Sequence, residues 1–407
     1  MKLAIIGDTR HYVDEKGRLC ALTPVVTQLD LWAELFDEVI ICAPLLSGFP
    51  PPIYTPYRSR NISIEPLKEG GGNTLKAKLD LIPKAFHWVP RIWKVIRQVD
   101  ALHFRCPCNI AFFGILAAFV SNRHRYAMYA GDWSGYKGEA LSNRVQRWLL
   151  SRPSFGGPVT IYSDKVHPSS HLVPFFSPTF TRAEWGAETE FVNAKLAALE
   201  QQSTLSTPIR LMTVGHIDKN KNQLAVVQAV HQLRQSGLNV VLDCLGDGEM
   251  MAALKQLQDQ LQLKPFVHLH GYRPHHSVSN FFRQAHFNIL ASKTEGYPKV
   301  LLEGMIYGAV PIASNFGISN YILGYGERGL TFPYGDVNAL ADRIKELVAD
   351  PSRVARMIHA GRQYARTVTL EAFQQRICEI LEDHWKVSLH PIHNYFDPQP
   401  LDGTLKD

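Results

Sequence analysis

The sequence has no apolar run long enough to cross a lipid bilayer. Its longest such run, Ile110 to Val120, falls well short of the roughly 20 residues that a membrane-spanning helix requires. It predicts a buried helix instead. The apolar run that begins at Met1 is too short for a signal peptide and predicts a buried first strand. These absences argue against an integral membrane protein.

Cysteine is also scarce, with 6 residues scattered among 407. The pair Cys106-Pro-Cys108 has neither the spacing of a zinc site nor that of a redox motif. A disulfide framework is therefore not expected, and a reducing cytoplasm is the predicted setting. Heptads, internal repeats and nucleic-acid-binding modules are lacking too, so we do not expect nucleic acid as a partner.

The composition, with 45% hydrophobic and 20% charged residues, is that of a soluble globular protein. The net charge of +6 is uneven, because residues 1–180 hold 21 Lys and Arg against 14 Asp and Glu. Basic residues and tryptophans mix in two clusters there, a pattern typical of anionic membrane surfaces. The clusters are Trp88, Arg91, Trp93, Lys94 and Arg97, and Arg144, Arg147, Trp148 and Arg152. An ordinary solvated helix face explains them equally well. The prediction is a cytoplasmic protein that can lie peripherally on the inner face of the membrane.

Strand and helix patterns alternate along the chain in two series, which predicts parallel sheets with helices on both faces. The first series has strands at 3–6, 38–42, 101–104 and 125–129 and helices at 23–35 and 110–120. The second has strands at 209–214, 240–245, 267–270, 287–290 and 310–313 and helices at 223–233 and 250–261. Apolar residues between Phe373 and Trp385 predict an amphipathic C-terminal helix.

This pattern predicts a layout of two α/β domains. Residues 1–175 form the first domain, completed by a C-terminal helix at 366–390, and residues 207–365 form the second. A linker is predicted at 176–206 and a polar tail at 391–407. Ligands of such sheets bind beyond the carboxyl ends of the strands, so the functional residues are expected there.

The most informative motif follows the strand at 287–290. Glu295 stands in a loop, Glu303 lies eight residues later within a predicted helix, and Gly296 and Pro298 fall between them. A helix N-terminus can hold an anion on its backbone N–H groups while acids on either side bind hydroxyl groups. A diphosphate flanked by a ribose and a hexose would suit this loop. Alternatively, the two acids have no ligand, and they occur here only because the helix dipole favours carboxylates near a helix N-terminus.

Three further strand ends in the second series carry glycines or cations. They hold Gly215 with His216 and Lys221, Gly246 with Gly248, and Gly271 with Tyr272 and Arg273. Any one of these is explained by a tight turn or a solvated side chain. Their recurrence at four strand ends favours one shared ligand site.

On these residues the segment from Ile209 to about Ala365 resembles the family 4 glycosyltransferases of the GT-B fold. The resemblance implies two Rossmann-like domains facing across a cleft, with the C-terminal helix crossing back to the first domain. By resemblance, Glu295 contacts the donor sugar, Glu303 holds the ribose, and Lys221 binds the leaving diphosphate. The backbone of Gly296, Tyr297, Pro298, Lys299 and Val300 would complete the phosphate site. His216 departs from the family, which usually has arginine at this position. Arginine offers a bidentate fork that histidine lacks.

The first domain is expected to bind the acceptor, and its candidate residues also follow predicted strands. Asp132 and Arg105 are the favoured catalytic candidates on this side. Further acceptor-side candidates are Gly7, Asp8, Arg10, His103 and Asn109. His103 lies in an apolar strand, so a core role explains it equally well.

The resemblance implies a retaining glycosyltransferase of the hexosyltransferase type that needs no cofactor and no metal. Its donor would be a nucleotide-diphosphate sugar, with UDP favoured by family frequency, and its acceptor a glycan or lipid-linked saccharide of surface polysaccharide biosynthesis. Two alternatives stay open. One is a nucleotide-sugar epimerase of the same architecture, and the other is a non-catalytic nucleotide-sugar-binding scaffold, which only His216 favours.

Overall fold

The computed structural model describes residues 1–70, 81–136, 138–165, 169–201, 204–391 and 395–396. The chain divides into two compact units. The first comprises Met1–Ile161, Lys165–Phe175 and Gln374–Asp407, and the second comprises Tyr162–Asp164 and Phe176–Phe373.

The first unit is built on a parallel sheet with helices between its strands. In chain order its elements are β1 (Lys2–Ile6), β2 (His11–Val13), β3 (Leu19–Leu22), α1 (Thr23–Ala33), β4 (Glu38–Pro44), β5 (Tyr54–Pro56), β6 (Ile62–Leu67), α2 (Leu81–Ile96), β7 (Ala101–Cys106), α3 (Asn109–Ala118), β8 (His124–Asp132), α4 (Leu141–Leu150), a 3-10 turn (Pro153–Phe155), β9 (Val159–Tyr162) and β10 (Leu172–Pro174). Over the described residues the main sheet runs β10-β9-β8-β7-β1-β4-β6. A separate antiparallel sheet pairs β2 with β3 and β3 with β5.

The second unit repeats the architecture. Its elements are α5 (Arg182–Ala187), α6 (Thr189–Gln201), β11 (Ile209–Val214), α7 (Gln223–Gln235), β12 (Val240–Leu245), α8 (Met251–Gln260), β13 (Val267–Gly271), α9 (His275–Gln284), β14 (Phe287–Leu290), α10 (Lys299–Ile306), β15 (Val310–Ser314), α11 (Ser319–Ile322), a 3-10 turn (Gly324–Gly326), β16 (Leu330–Phe332), α12 (Val337–Val348), α13 (Pro351–Arg366) and α14 (Leu370–Trp385). Within the described part of the chain its parallel sheet runs β13-β12-β11-β14-β15-β16. The α/β class with two parallel sheets is confirmed.

Burial explains why these segments form strands. Every residue of β12, β14 and β15 is buried, as expected for parallel strands covered by helices on both faces. Helices α12 and α13 have Asp336 and Asp350 as their N-caps, and these carboxylates accept hydrogen bonds from the backbone N–H groups of Ala339 and Arg353. In the described part of the chain, no helix is both long and apolar enough to span a membrane.

The last helix is shared by the two units. From Gln374 on, α14 belongs to the first unit, where Gln374 Nε2 donates to Glu34 Oε2 at 2.7 Å. Trp385 Nε1 donates to the backbone oxygen of Arg125 at 3.1 Å in the same unit.

The predicted linker at 176–206 contains α5 and α6, and its described residues belong to the second unit. Val192 of α6 is fully buried in the core of that unit. The tail predicted at 391–407 lies outside the described residues, apart from 391, 395 and 396.

Candidate functional site

An ion pair lies at the carboxyl ends of β11 and β14 in the second unit. Lys221 Nζ is 2.6 Å from Glu295 Oε1, and both side chains are mostly buried, with 22% and 17% of their surface exposed. The two residues are 74 positions apart in the chain. The strand-end argument had placed both residues at this edge of the sheet, and the fold brings them into direct contact.

Glycines allow the loops around this pair to approach each other closely. Gly215 has φ of +146°, and a side-chain carbon there would lie 3.5 Å from Lys221 Cε. Gly246 has φ of +133°, and a side-chain carbon there would lie 1.9 Å from the backbone oxygen of Gly215. At Gly248 the corresponding distance to the Ile217 oxygen is 2.3 Å. The loops after β11 and β12 therefore touch through their backbones, and larger residues would force them apart.

Two asparagines hold the loops in place, and the sequence pattern had not singled them out. The amide of Asn220 donates to Thr294 O at 3.0 Å and accepts from Thr294 N at 3.3 Å, which joins the loops that carry Lys221 and Glu295. Asn288, fully buried in β14, donates to Val300 O at 2.7 Å and so fixes the start of α10. Isolated polar residues of this kind have no periodicity by which a sequence could reveal them.

Helix α10 begins directly after the loop of Glu295, with Pro298 at its N-cap and no side chain capping its first turn. Backbone N–H groups at such a helix start form an anion site. The hydroxyl of Tyr297 is buried, and burial raises its pKa well above the usual value, with Tyr364 as a further cause. The Tyr297 hydroxyl is therefore not exposed to a ligand, and the contact through its backbone stays a prediction. On the second turn of α10, Glu303 Oε1 accepts from Thr179 Oγ at 2.8 Å.

The remaining donor-side candidates are exposed. His216 Nε2 lies 3.3 Å from Glu249 Oε2, with both side chains more than half exposed. Tyr272 is 51% exposed and Arg273 is also exposed, at the end of β13. Among the described residues, the side chains that could jointly hold a metal are Asp243, His268 and His270, and none of these is a predicted donor contact.

In the first unit, Gly7, Asp8 and Arg105 come together at the ends of β1 and β7. A side-chain carbon at Gly7 would lie 3.2 Å from Arg105 Cβ. Desolvation raises the pKa of Asp8, while the charge of Arg105 opposes that rise. Arg105 Nη2 also donates to Gln28 Oε1 at 3.4 Å.

The other acceptor-side candidates are spread over neighbouring loops of the first unit. Asp132 accepts the Ser134 N–H at 2.9 Å, and burial raises the pKa of its carboxyl. Asn109 is the first residue of α3, and Arg10 is half exposed and bonded to Glu69 at 2.7 Å.

The prediction that His103 contacts the acceptor is wrong, because the structure leaves this side chain no exposed surface. Its side chain is fully buried, with the ring centroid 4.3 Å from that of Trp32 and 4.8 Å from that of Tyr126. Burial lowers its pKa well below the ordinary value, so the ring is a neutral core group. Of the two interpretations of His103, the core role is the one that the structure confirms.

The first of the two basic clusters is partly buried, and its contact with a membrane stays a prediction. Trp88 is fully buried and donates to Lys68 O at 2.8 Å, and Arg91 pairs with Glu65 at 2.7 Å. In the second cluster, on and after α4, Trp148 has 54% of its surface accessible, whereas Arg147 is 20% exposed and pairs with Glu139. Leu141, at the start of the same helix, has 71% of its surface accessible.

Comparisons with known proteins show which proteins the chain is similar to. Residues 197–364 match the sequence model of the family described as glycosyl transferases group 1. The chain is 26% identical over 204 residues to the amylovoran biosynthesis glycosyltransferase AmsK of Erwinia amylovora, which covers 48% of this chain and 49% of that protein. It is 29% identical over 147 residues to the putative colanic acid biosynthesis glycosyltransferase WcaL of Escherichia coli K12, covering 34% and 36%. The match thus spans about half or less of these curated relatives.

Solved structures extend the similarity over both units. A glycosyltransferase from Rickettsia africae ESF-5 has a TM-score of 0.67 at 16% identity, covering 95% of this chain and 99% of that one. Anabaena Alr3699/HepE in complex with UDP has a TM-score of 0.68 at 14% identity, covering 94% and 100%. The chain therefore has the two-unit α/β fold of the GT-B glycosyltransferases, and residues 197–364 are similar to the glycosyl transferases group 1.

Proposed function

We propose that this protein is a glycosyltransferase that uses a nucleotide-diphosphate sugar as its donor. The observation that carries the proposal is the Lys221–Glu295 pair, which lies over Gly215 and directly before the N-terminus of α10. A cation, an uncapped helix start and a carboxylate together offer contacts for a diphosphate and for the hydroxyls of its sugar. Glu303 is the proposed ribose contact.

In the proposed reaction the bond between the anomeric carbon and the diphosphate oxygen breaks. The acceptor hydroxyl oxygen forms a new bond to the same carbon, on the face from which the diphosphate leaves. The proton of that hydroxyl passes to the leaving phosphate. The products are a glycoside and a nucleoside diphosphate. Lys221 and the backbone N–H groups at the start of α10 stabilise the charge that develops on the leaving group.

The finer assignments rest on resemblance. Retention of configuration, membership of family 4 and independence of metal follow from the resemblance of the four strand-end motifs. UDP is our preferred nucleotide, supported by the complex of HepE with UDP and another with UDP-glucose. Tyr272 and Arg273, exposed at the end of β13, are the proposed contacts to the base.

The acceptor that we propose is a glycan or a lipid-linked saccharide of surface polysaccharide biosynthesis. Support comes from the relatives, whose names place them in amylovoran and colanic acid biosynthesis. Asp132, Asn109, Arg10 and the group of Gly7, Asp8 and Arg105 are the proposed acceptor-side contacts in the first unit.

A screen of nucleotide-sugars for slow hydrolysis without an acceptor tests the transferase. We expect one donor to be hydrolysed by the wild type and this activity to be lost in Lys221→Ala and Glu295→Ala. Full activity in both variants would refute the site. A product with inverted sugar stereochemistry and no transfer would indicate the epimerase, and absence of all nucleotide binding would indicate the scaffold.

We also propose that α4 lies against an anionic membrane surface. Leu141, Val145 and Trp148 are exposed apolar side chains of this helix, and Arg144 and Arg152 are basic residues beside them. Flotation with anionic liposomes is the test, with binding expected to weaken in added salt and in Leu141→Ser/Trp148→Ser. Absence of binding at low salt would refute this surface.

A further inference from the structure

Three potential metal ligands meet on one face of the sheet in the second unit. Asp243 lies in the middle of β12, and His268 and His270 lie two residues apart in the neighbouring edge strand β13. Asp243 Oδ1 is 2.7 Å from His270 Nε2 and 3.4 Å from His268 Nδ1. One ligand atom from each residue falls within 4.8 Å of the others.

The backbone explains why these three side chains converge. Asp243 is the direct register partner of His268, so their side chains leave neighbouring strands on the same face. The register then shifts, because Cys244 pairs with Leu269 but Leu245 pairs with Gly271, which leaves His270 as the additional residue. Bulges of this kind redirect a side chain and occur preferentially beside functional sites. Here His270, the additional residue, reaches the same carboxylate as His268.

The surroundings suit a metal more than they suit a plain surface ion pair. The Asp243 side chain is only 10% exposed, whereas His268 is 43% and His270 22% exposed. The carboxylate therefore lies at the base of a shallow site that opens to solvent through His268. The ring of Phe281 from α9 covers one side, with its centroid 4.7 Å from that of His270. An apolar wall beside a metal limits water access to it.

The ligand chemistry selects the type of ion. A donor set of two imidazoles and one carboxylate favours zinc and similar divalent transition metals. Magnesium and calcium favour sites made of oxygen ligands alone. Tetrahedral zinc ligands at about 2.0–2.2 Å from the metal lie roughly 3.3–3.6 Å from one another. The 3.4 Å between Asp243 Oδ1 and His268 Nδ1 matches that separation, and the 2.7 Å to His270 Nε2 would lengthen by less than about 1 Å on metal binding. A water molecule can supply the fourth ligand on the exposed side.

We propose that Asp243, His268 and His270 form a binding site for Zn²⁺ or a similar divalent transition metal. The site is separate from the donor contacts and holds whether or not the proposed transferase activity does. A bound metal would tie β12 to the edge strand β13 just before the loops of Gly246 and Gly271, which are already joined by a hydrogen bond of 2.9 Å from Gly246 N to Gly271 O. Its expected effect is to stabilise this edge of the sheet.

Calorimetric titration of Zn²⁺ into the full chain, freed of any affinity tag and stripped with a chelator, tests the proposal. We expect one equivalent to bind and the thermal unfolding temperature to rise with the metal concentration. His268→Gln, His270→Gln and Asp243→Asn should each weaken binding by roughly 10- to 100-fold or more, since even changes to residues that hydrogen-bond to metal ligands have that effect.

His359→Gln is the matched control, because this exposed histidine of α13 lies in the same unit and outside the cluster. It should bind Zn²⁺ like the wild type. Unfolding of each variant without metal shows whether it folds, and Asp243→Asn retains the size of the aspartate where a histidine variant does not fold. The proposal is overturned if the stripped wild type binds no stoichiometric Zn²⁺, or if the folded variants bind it as well as the control does. Asp243 would then be only the hydrogen-bond partner of His270, with His268 beside it.

Discussion

At the scale of single residues, the central feature is that Lys221 and Glu295 are bonded to each other. In the proposed complex they part, because Lys221 turns to the diphosphate and Glu295 to the sugar. Glu295 therefore competes with the diphosphate for Lys221, and Lys221 competes with the sugar for Glu295. This exchange gives the two residues different expected effects on nucleotide binding and on turnover.

Glu295→Gln should separate these effects. The substitution removes the negative charge that pairs with Lys221, so we expect UDP to bind at least as tightly as to the wild type. Donor hydrolysis should fall at least tenfold, because the proposed sugar contact is changed. Calorimetry and a hydrolysis assay measure the two quantities, with Lys255→Ala, an exposed lysine of α8, as the control. Weaker UDP binding together with normal hydrolysis would contradict the assigned role.

His216→Arg should strengthen nucleotide binding. A guanidinium can form two charge-assisted hydrogen bonds to a phosphate where imidazole forms one. We expect the Kd for UDP to fall roughly tenfold, which corresponds to about 1.4 kcal/mol. Because Glu249 stands 3.3 Å from His216 and could capture the new side chain, His216→Arg/Glu249→Gln is the cleaner variant. An unchanged Kd in both would show that position 216 lies outside the phosphate site.

At the scale of elements, the strand-end loops form one backbone assembly. Gly215 N donates to Leu245 O, Ile217 N to Asp247 O and Gly246 N to Gly271 O, so the loops after β11, β12 and β13 are joined in sequence. Asn220 adds the loop after β14. The geometry of the candidate site is thus a property of four elements and not of any one of them.

Gly246→Ala should disrupt this assembly. The new carbon would clash with the Gly215 oxygen at 1.9 Å, and the residue would also occupy a strained φ. We expect a loss of about 1–3 kcal/mol in the free energy of unfolding from strain alone, and weaker UDP binding from the displaced loop.

Gly237→Ala is the control for that strain, because Gly237 also has positive φ, at +87°, but no atom lies within 4 Å of its added carbon. It should lose stability while keeping UDP affinity. Equal UDP affinity in Gly246→Ala would show that the close approach of the loops does not shape the site.

Much at this scale follows from the sequence. The bounds of β11, β12 and β14 agree with the prediction, because each is a short apolar run between polar loops. The antiparallel sheet of β2, β3 and β5 was not predicted, since strands of three or four residues are too short for a periodic signal. Contacts such as Thr179 to Glu303 join residues 124 positions apart and depend on tertiary packing alone.

At the scale of the whole molecule, the C-terminal helix completes the first unit through a buried polar contact. Gln374 of α14 donates to Glu34, whose side chain is 5% exposed. Burial raises the pKa of Glu34 from its usual 4.5 to about 7, while the bond from Gln374 opposes the rise. The folded chain thus keeps a proton that the unfolded chain releases.

This raised pKa predicts a dependence of stability on pH. The protonated Glu34 imposes no penalty below about pH 4.5, and the folded chain loses stability as the pH rises from there to about 7. Glu34→Gln removes the titration, so its unfolding temperature should exceed that of the wild type by a margin that grows across this range. Thermal unfolding at several pH values checks this, with exposed Glu15→Gln as the control. A margin independent of pH would contradict the raised pKa.

The central claim is that the second unit binds a nucleoside diphosphate on Lys221 and the loops around it. Calorimetric titration of UDP, and of GDP in parallel, into the wild type and Lys221→Ala tests it most directly. The account predicts saturable binding of at least one nucleotide by the wild type, and binding at least tenfold weaker in Lys221→Ala. No binding of either nucleotide, or equal affinity in both proteins, would contradict it.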